Sequence, residues 1–165
     1  MKNYTYIRNA SEVTGSTTVF TELEINASPE LVRAKFLEFD KWGEWNTVIP
    51  KIAVHSGDLD NIKTKPTIEL TLDFGRKNDP AQAPVYPKVY ENSAGVFYWG
   101  FNIGLLKAAH VFLFEPIDEG KKTRLVHYEK MEGVLKFILN EKMKISMNQR
   151  YHKMNADLKR ISEEV

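Results

Sequence analysis

The sequence contains no cysteine among its 165 residues. This absence excludes disulfide bonds, thiolate metal ligands and cysteine nucleophiles. An excess of one charge is also missing, because 23 basic residues are balanced by 22 acidic ones and leave a formal net charge of +1. A chain with this balance has no overall attraction to nucleic acid or to an anionic membrane. We therefore expect no nucleic-acid partner.

Long apolar runs and common cofactor motifs are absent as well. No stretch of about 18 apolar residues occurs, so we expect no membrane span and no stable membrane anchor. The residues from Met1 to Val13 lack the apolar core of a cleaved signal peptide, which favours a cytoplasmic protein. The sequence has no glycine-rich phosphate loop, no Gly-x-Ser-x-Gly turn and no paired histidines at helical spacing. We therefore expect no cofactor and no metal ion.

The last third of the chain carries a long apolar stripe. Steps of three and four residues separate its members, which are Met143, Met147, Tyr151, Met154, Leu158, Ile161 and Val165. That repeat is typical of one buried face of an α-helix. It predicts a single helix from about Val134 to Glu163, about 45 Å long at 1.5 Å per residue. A helix of this length suits a cover over a curved sheet better than a compact bundle.

Most of the chain before this helix alternates between apolar and polar residues, as β-strands do. The first strand is predicted at Thr17 to Ile25, and about six more follow before Gly133. Ser28 and Pro29 predict a helix start, the first of two short helices that follow the first strand. Strands joined by short turns pair antiparallel, so the order predicts an α+β fold. An irregular segment at residues 1–15 is predicted to precede a single domain at residues 16–165.

The last two predicted strands carry the candidate catalytic residues His110, His127 and Glu129. A turn centred between Asp118 and Glu119 pairs His110 with His127, whereas a turn one residue later pairs His110 with Glu129. In either register the three groups share one apolar face. They are candidates for acid–base catalysis, and the alternative is a satisfied hydrogen-bonded pair in a cavity wall. We predict no metal site among them.

Aromatic and methionine side chains are candidates for contact with an apolar ligand, and their alternative is core packing. With the polar groups included, the predicted ligand-binding residues are Trp42, Trp45, Leu72, Phe97, Trp99, Phe101, His110, Phe112, His127, Glu129, Met143, Met147 and Tyr151. The two remaining histidines, His55 and His152, are predicted to lie on the surface. The segment from Gly75 to Pro87 contains three prolines and predicts a long loop.

Two stretches of the sequence resemble a known family. The first is INASPE at positions 25–30, leading into WGEWN at positions 42–46. The second runs from Trp99 through HVFLFEP at positions 110–116 to TRLVHYEKMEG at positions 123–133. With the long helix, this order resembles the polyketide cyclase/dehydrase and lipid-transport superfamily, SRPBCC, which includes START lipid-transfer domains and the birch-pollen allergen. The resemblance covers about Thr17 to Glu164.

The resemblance implies a helix-grip fold, in which a curved antiparallel sheet of about seven strands holds the C-terminal helix over an internal cavity. Family members use this cavity for lipids, sterols, hormones, polyketides or aromatic molecules, and they share no universal catalytic motif. The favoured expectation is therefore binding or transport of a small hydrophobic molecule. Two alternatives stay open: an enzyme of the cyclase, dehydratase or hydrolase type that uses the histidines and Glu129, and an interaction module like the chaperone-activating members.

Overall fold

The structure is a computed structural model that describes residues 6–8, 10–12, 18–71, 84–102, 104–134 and 140–164. One antiparallel sheet contains seven strands, which are β1 (Thr18–Ile25), β2 (Lys51–Ser56), β3 (Thr67–Thr71), β4 (Lys88–Ser93), β5 (Val96–Asn102), β6 (Lys107–Ile117) and β7 (Lys122–Glu132). The described residues also form three α-helices, which are α1 (Pro29–Leu37), α2 (Trp42–Trp45) and α3 (Glu141–Glu163). These elements confirm the predicted α+β helix-grip fold.

The order of the strands follows from short connections with one exception. The strands lie side by side in the order β1, β7, β6, β5, β4, β3, β2. Strands β2 to β7 form a meander, because each is followed in the sheet by its neighbour in sequence. The exception is the connection after β1, which passes through α1 and α2 to the far edge of the sheet. The meander then returns, and its last strand pairs with the first.

The inner face of the sheet packs against the helices through an aromatic core. Phe36 of α1 lies at its centre, with its ring centroid 4.7 Å from that of Phe112 and 5.3 Å from that of Phe97. The same ring lies 5.2 Å from the ring of Trp42 and 6.4 Å from that of Trp99. Burying an aromatic or large aliphatic side chain contributes about 1.5–3 kcal/mol. This core therefore fixes α1 and α2 against the middle of the sheet.

The outer face of β6 and β7 is apolar as well. Val111, Leu113 and Val126 are buried there, together with Ile7 from the N-terminal segment. The backbone N–H of Ile7 donates to the hydroxyl of Tyr128 at 3.3 Å. Both faces of the central strands are therefore covered, which explains why β6 is buried without interruption from residue 108 to residue 114.

Helix α3 covers the free edge of β1. Its side chains Asn148 and Lys159 donate to the backbone carbonyls of Phe20 and Glu24 at 3.3 and 2.6 Å. An uncovered edge strand would offer these carbonyls to another chain. The helix therefore closes the sheet on the side of β1 where the described part of the chain places no other strand.

The predicted start of α3 at about Val134 is wrong, since the helix begins at Glu141. Asn140 has an extended backbone (φ −82°, ψ 168°), and its side chain accepts the backbone N–H of Met143 at 3.0 Å. An asparagine in this position satisfies an N–H that has no partner within the helix. The helix is therefore about 35 Å long rather than 45 Å.

The hairpin of β6 and β7 selects one of the two predicted registers. Ile117 pairs with Lys122, so the turn is centred between Glu119 and Gly120, and His110 lies opposite Glu129. Three successive residues of this turn, Asp118 to Gly120, have positive φ angles. Two of the predicted features, Leu72 and most of the Gly75 to Pro87 loop, lie outside the described residues.

Replacing Asn140 tests the start of α3. We expect Asn140→Ala to lower the free energy of unfolding by about 1 kcal/mol, because the N–H of Met143 loses its acceptor. Asn140→Asp keeps the acceptor and is the matched control, expected to stay within about 0.5 kcal/mol of the parent protein. The measurement is equilibrium unfolding in urea. Equal destabilisation by both substitutions would contradict the cap.

Candidate functional site

Four polar side chains meet on the inner face of the sheet, beneath the middle of α3. His110 comes from β6, His127 and Glu129 come from β7, and Tyr151 comes from α3. The Nε2 atoms of His110 and His127 lie 2.6 Å apart. The prediction that His110, His127 and Glu129 share one face is therefore confirmed.

His127 is held on both sides of its ring. Its Nδ1 atom lies 2.7 Å from Oδ1 of Asn155, and its Nε2 atom faces His110. Asn155 donates from Nδ2 to the hydroxyl of Thr21 at 2.9 Å, and that hydroxyl donates to the backbone carbonyl of His127 at 2.9 Å. The His127 side chain is fully buried. It therefore positions His110 and has no ring nitrogen left for a ligand.

Burial keeps both histidines neutral. It lowers the pKa of His110 well below the ordinary value, and the neighbouring His127 acts in the same direction. Burial also lowers the pKa of His127 to about 3, against a weaker upward effect of its bond to Asn155. Two cations in contact within an apolar core would lose their hydration and repel each other. The pair is therefore joined by one N–H···N hydrogen bond between uncharged rings.

Tyr151 links the polar cluster to α3. Its hydroxyl donates to Oε2 of Glu129, and its ring lies 4.3 Å from His127 and 5.0 Å from His110, centroid to centroid. Burial raises the pKa of Glu129, which its bond to Tyr151 partly offsets. Burial and the Glu129 carboxylate raise the pKa of Tyr151 well above its ordinary value. Tyr151 therefore keeps its proton and directs it to Glu129.

Four of the predicted aromatic ligand contacts lie deep in the core. They are Trp42, Phe97, Trp99 and Phe112, and each is almost fully buried. The indole N–H of Trp42 donates to the carbonyl of Phe36 at 2.7 Å, so its polar atom serves the fold. Trp45 differs, because its buried indole N–H has no hydrogen-bond partner among the described residues.

The core becomes less covered toward one end of the molecule. On the inner face, Trp99 and Phe112 are buried, whereas Phe101, Glu129 and Met131 beyond them are only half-buried. His110 lies at the boundary and is 8 % exposed.

The same gradient runs along α3. Met154 is 1 % exposed, Met147 is half-buried, and Met143 is 46 % exposed. The predicted ligand contacts Phe101, Met143 and Met147 therefore lie toward the less covered end. Phe137 and Ile138, which would extend this stripe, lie outside the described residues.

The sequence did not point to Asn155 and Thr21 as members of the site. The sequence pattern nevertheless contains an indication for each of these two residues. Thr21 occupies an inward position of β1, between Val19 and Leu23, where an apolar residue is the usual choice. Asn155 lies four residues after Tyr151 on the buried side of α3. A polar residue at an inward position of each element indicates a partner in the core.

The described residues contain neither a metal-binding cluster nor a membrane-spanning helix. No group of three His, Asp or Glu side chains there is arranged to hold a metal ion. No helix in the described part of the chain is long and apolar enough to cross a membrane.

The buried histidines predict an acid-sensitive fold. The pKa of His127 is about 3 in the folded protein and 6.5 in its ordinary state, so the unfolded chain binds the extra proton between these values. The contribution of each such histidine to the free energy of unfolding is therefore complete above about pH 6.5. Below that pH it falls by about 1.4 kcal/mol per pH unit. The raised pKa of Glu129 acts in the opposite direction.

The variant His127→Gln isolates this contribution. We expect its unfolding free energy, measured in urea between about pH 6.5 and 4, to decline less steeply than that of the parent protein, by about 1.4 kcal/mol per pH unit. The comparison uses slopes because the substitution also disturbs the core at neutral pH. His55→Gln, at an exposed position of β2, is the control and should keep the parental slope. An unchanged slope in His127→Gln would contradict the neutral pair.

Comparison with known structures supports the fold. A START superfamily protein from Mycobacterium smegmatis is 16 % identical, with a TM-score of 0.69 over 90 % of this chain and 98 % of its own. A hypothetical protein from Helicobacter pylori is 18 % identical, with a TM-score of 0.67 over 98 % and 99 %. The Zhui aromatase/cyclase from Streptomyces sp. R1128 is 9 % identical, with a TM-score of 0.68 over 88 % and 93 %. At these identities the likeness shows the fold alone.

Comparison with family models identifies the family. No protein of curated function matches the chain. The model described as polyketide cyclase / dehydrase and lipid transport matches residues 16–163, which is nearly the whole sequence. The chain therefore belongs to the polyketide cyclase/dehydrase and lipid-transport family.

Proposed function

We propose that the protein binds a small, largely apolar ligand between the inner face of the sheet and the first half of α3. The observation that carries this proposal is the common direction in which burial decreases along β5, β7 and α3. Each of these elements is tightly packed at one end and presents half-buried apolar side chains at the other. His110 lies where the two regions meet.

The two halves of α3 differ in a way that favours binding at the first half. Met154 and Leu158 in the second half are each 1 % exposed and belong to the aromatic core. Met147 and Met143 continue the same stripe but remain half-buried and exposed. Covering apolar surface contributes about 25 cal/mol per Å². A ligand that covers Met143 and Met147 would therefore gain free energy that the protein's own packing leaves unused.

The polar cluster provides an anchor for such a ligand. Apolar binding sites commonly contain a few polar groups that orient the bound molecule. His110 and Glu129 are cross-strand neighbours at the boundary of the core, and Tyr151 holds the Glu129 carboxyl in place. His127, with both ring nitrogens occupied, keeps His110 in a single orientation. This arrangement favours binding over acid–base turnover, because one of the three candidate catalytic groups is committed to structure.

The relatives agree with this type of function. The family's description names polyketide cyclase, dehydrase and lipid transport, all of which handle largely apolar molecules. One structural neighbour is an aromatase/cyclase, and another is a START superfamily protein. These likenesses support an apolar ligand and leave its exact kind to experiment.

The methionines provide a direct test of the binding position. The sequence has five, which are Met1, Met131, Met143, Met147 and Met154. We expect methyl NMR signals of Met147 and Met143 to shift when ligands are added to protein labelled at the methionine methyl groups. The probes are bicyclic aromatic compounds and medium-chain fatty alcohols. Met154, packed in the core, is the internal control and should not move.

A single substitution links these shifts to binding. Met147→Ala should weaken binding by about threefold to tenfold, because one half-buried side chain leaves the contact. Ile145→Ala, which removes an exposed apolar side chain from the same helix, is the matched control and should leave binding unchanged. Binding that shifts only Met154, or no binding by any probe, would contradict the proposal.

A further inference from the structure

The hydrogen bonds behind His110 have a direction that is set by one backbone carbonyl. A carbonyl oxygen only accepts, so the hydroxyl of Thr21 must donate its proton to the carbonyl of His127. Its oxygen then accepts from Asn155, which places the amide nitrogen of Asn155 toward Thr21. The amide oxygen of Asn155 therefore faces Nδ1 of His127 and accepts from it. His127 consequently carries its proton on Nδ1.

The same reasoning extends to His110. A neutral His127 with its proton on Nδ1 has a lone pair on Nε2. The partner atom at 2.6 Å is Nε2 of His110, which must donate the hydrogen. The second nitrogen of His110, Nδ1, is therefore left with a lone pair. None of the described residues forms a hydrogen bond with this atom.

The other donors of the cluster are already used. The hydroxyl of Tyr151 donates to Glu129, whose carboxyl oxygen accepts it. What the cluster can still provide at the boundary of the core is a lone pair of His110 and the oxygens of Glu129. No group of the cluster carries a positive charge that would attract an anion.

We propose that the site selects an apolar ligand that presents a hydrogen-bond donor, such as a phenol or an alcohol, over the matching ether or carboxylate. The ligand's N–H or O–H group donates to Nδ1 of His110. The series of hydrogen bonds from Thr21 through Asn155 and His127 keeps that atom an acceptor. This inference rests on the proposed function and specifies the chemistry of its ligand.

A matched series of bicyclic compounds tests the selection. The probes are 2-naphthol, 2-methoxynaphthalene, naphthalene and 2-naphthoate, and the readout is the dissociation constant from the Met147 methyl signal. We expect 2-naphthol to bind about fivefold to tenfold more tightly than 2-methoxynaphthalene, the factor of one hydrogen bond, and 2-naphthoate to bind most weakly. Equal affinities across the series would overturn the selection and leave the proposed function standing. Absence of binding by all four would overturn both.

The sharper test reverses the direction of the hydrogen bond between His127 and His110. In Asn155→Asp, a carboxylate accepts from Nδ1 of His127 and favours the uptake of a second proton from solvent at Nε2 of that ring. His127 would then donate to Nε2 of His110, and the His110 proton would move to Nδ1. We expect the preference for 2-naphthol over 2-naphthoate to fall by about tenfold or more. An unchanged preference in a folded variant would overturn the proposal.

Two further measurements decide the question if Asn155→Asp does not fold. Nitrogen NMR of the imidazole rings in the parent protein should show the proton of His127 on Nδ1 and that of His110 on Nε2. The opposite arrangement at His110 would overturn the proposal. In His110→Phe, the ratio of the affinities of 2-naphthol and 2-methoxynaphthalene should fall to about one, whatever the substitution does to both affinities. The control His55→Phe, at an exposed histidine, should keep the parental ratio.

Discussion

The pairing of β1 with β7 is the contact on which the rest of the structure depends. It joins the first strand to the last, with Thr21 opposite His127 and Leu23 opposite Leu125. The connection after β1 reaches the far edge of the sheet, so only this pairing brings the meander back to its start. It also creates the surface on which α3 lies, and Asn148 and Lys159 of the helix bind the free edge of β1.

The same pairing explains why a series of hydrogen-bonded polar side chains can lie inside an apolar core. An unpaired polar group in such a place costs about 1–3 kcal/mol, so each group needs a partner. The β1–β7 register provides the first partner by placing the Thr21 hydroxyl beside the carbonyl of His127. Asn155 completes the chain from α3. Burial keeps the histidines neutral. With both rings neutral, the carbonyl of His127 sets the direction of every hydrogen bond up to His110.

Along one stripe, helix α3 therefore combines a part that completes the core with the part at which we propose that the ligand binds. Its second half completes the core through Met154 and Leu158, while its first half leaves Met143 exposed. Tyr151 lies between these parts and contacts both histidines and Glu129. A binding region next to a rigid core is well suited to orienting a ligand, since the anchoring side chains are held by packing and by hydrogen bonds rather than by the ligand itself.

The sequence by itself determined the elements and the faces. The alternation of apolar and polar residues predicted β1, the Ser28–Pro29 pair predicted the start of α1, and the spacing of apolar residues predicted most of α3. Each of these signals lies within a short stretch of sequence. Sequence reasoning also placed His110, His127 and Glu129 on one face, since strand positions of equal parity share a face in any register. The start of α3 was misplaced because apolar residues before Asn140 continue the pattern, whereas the cap is one side chain. Only the tertiary structure decided that His110 pairs with Glu129 and that Asn155 and Thr21 hold His127. Thr21 and His127 are 106 positions apart and His127 and Asn155 are 28 apart, and no local pattern records which distant partner a polar group will meet.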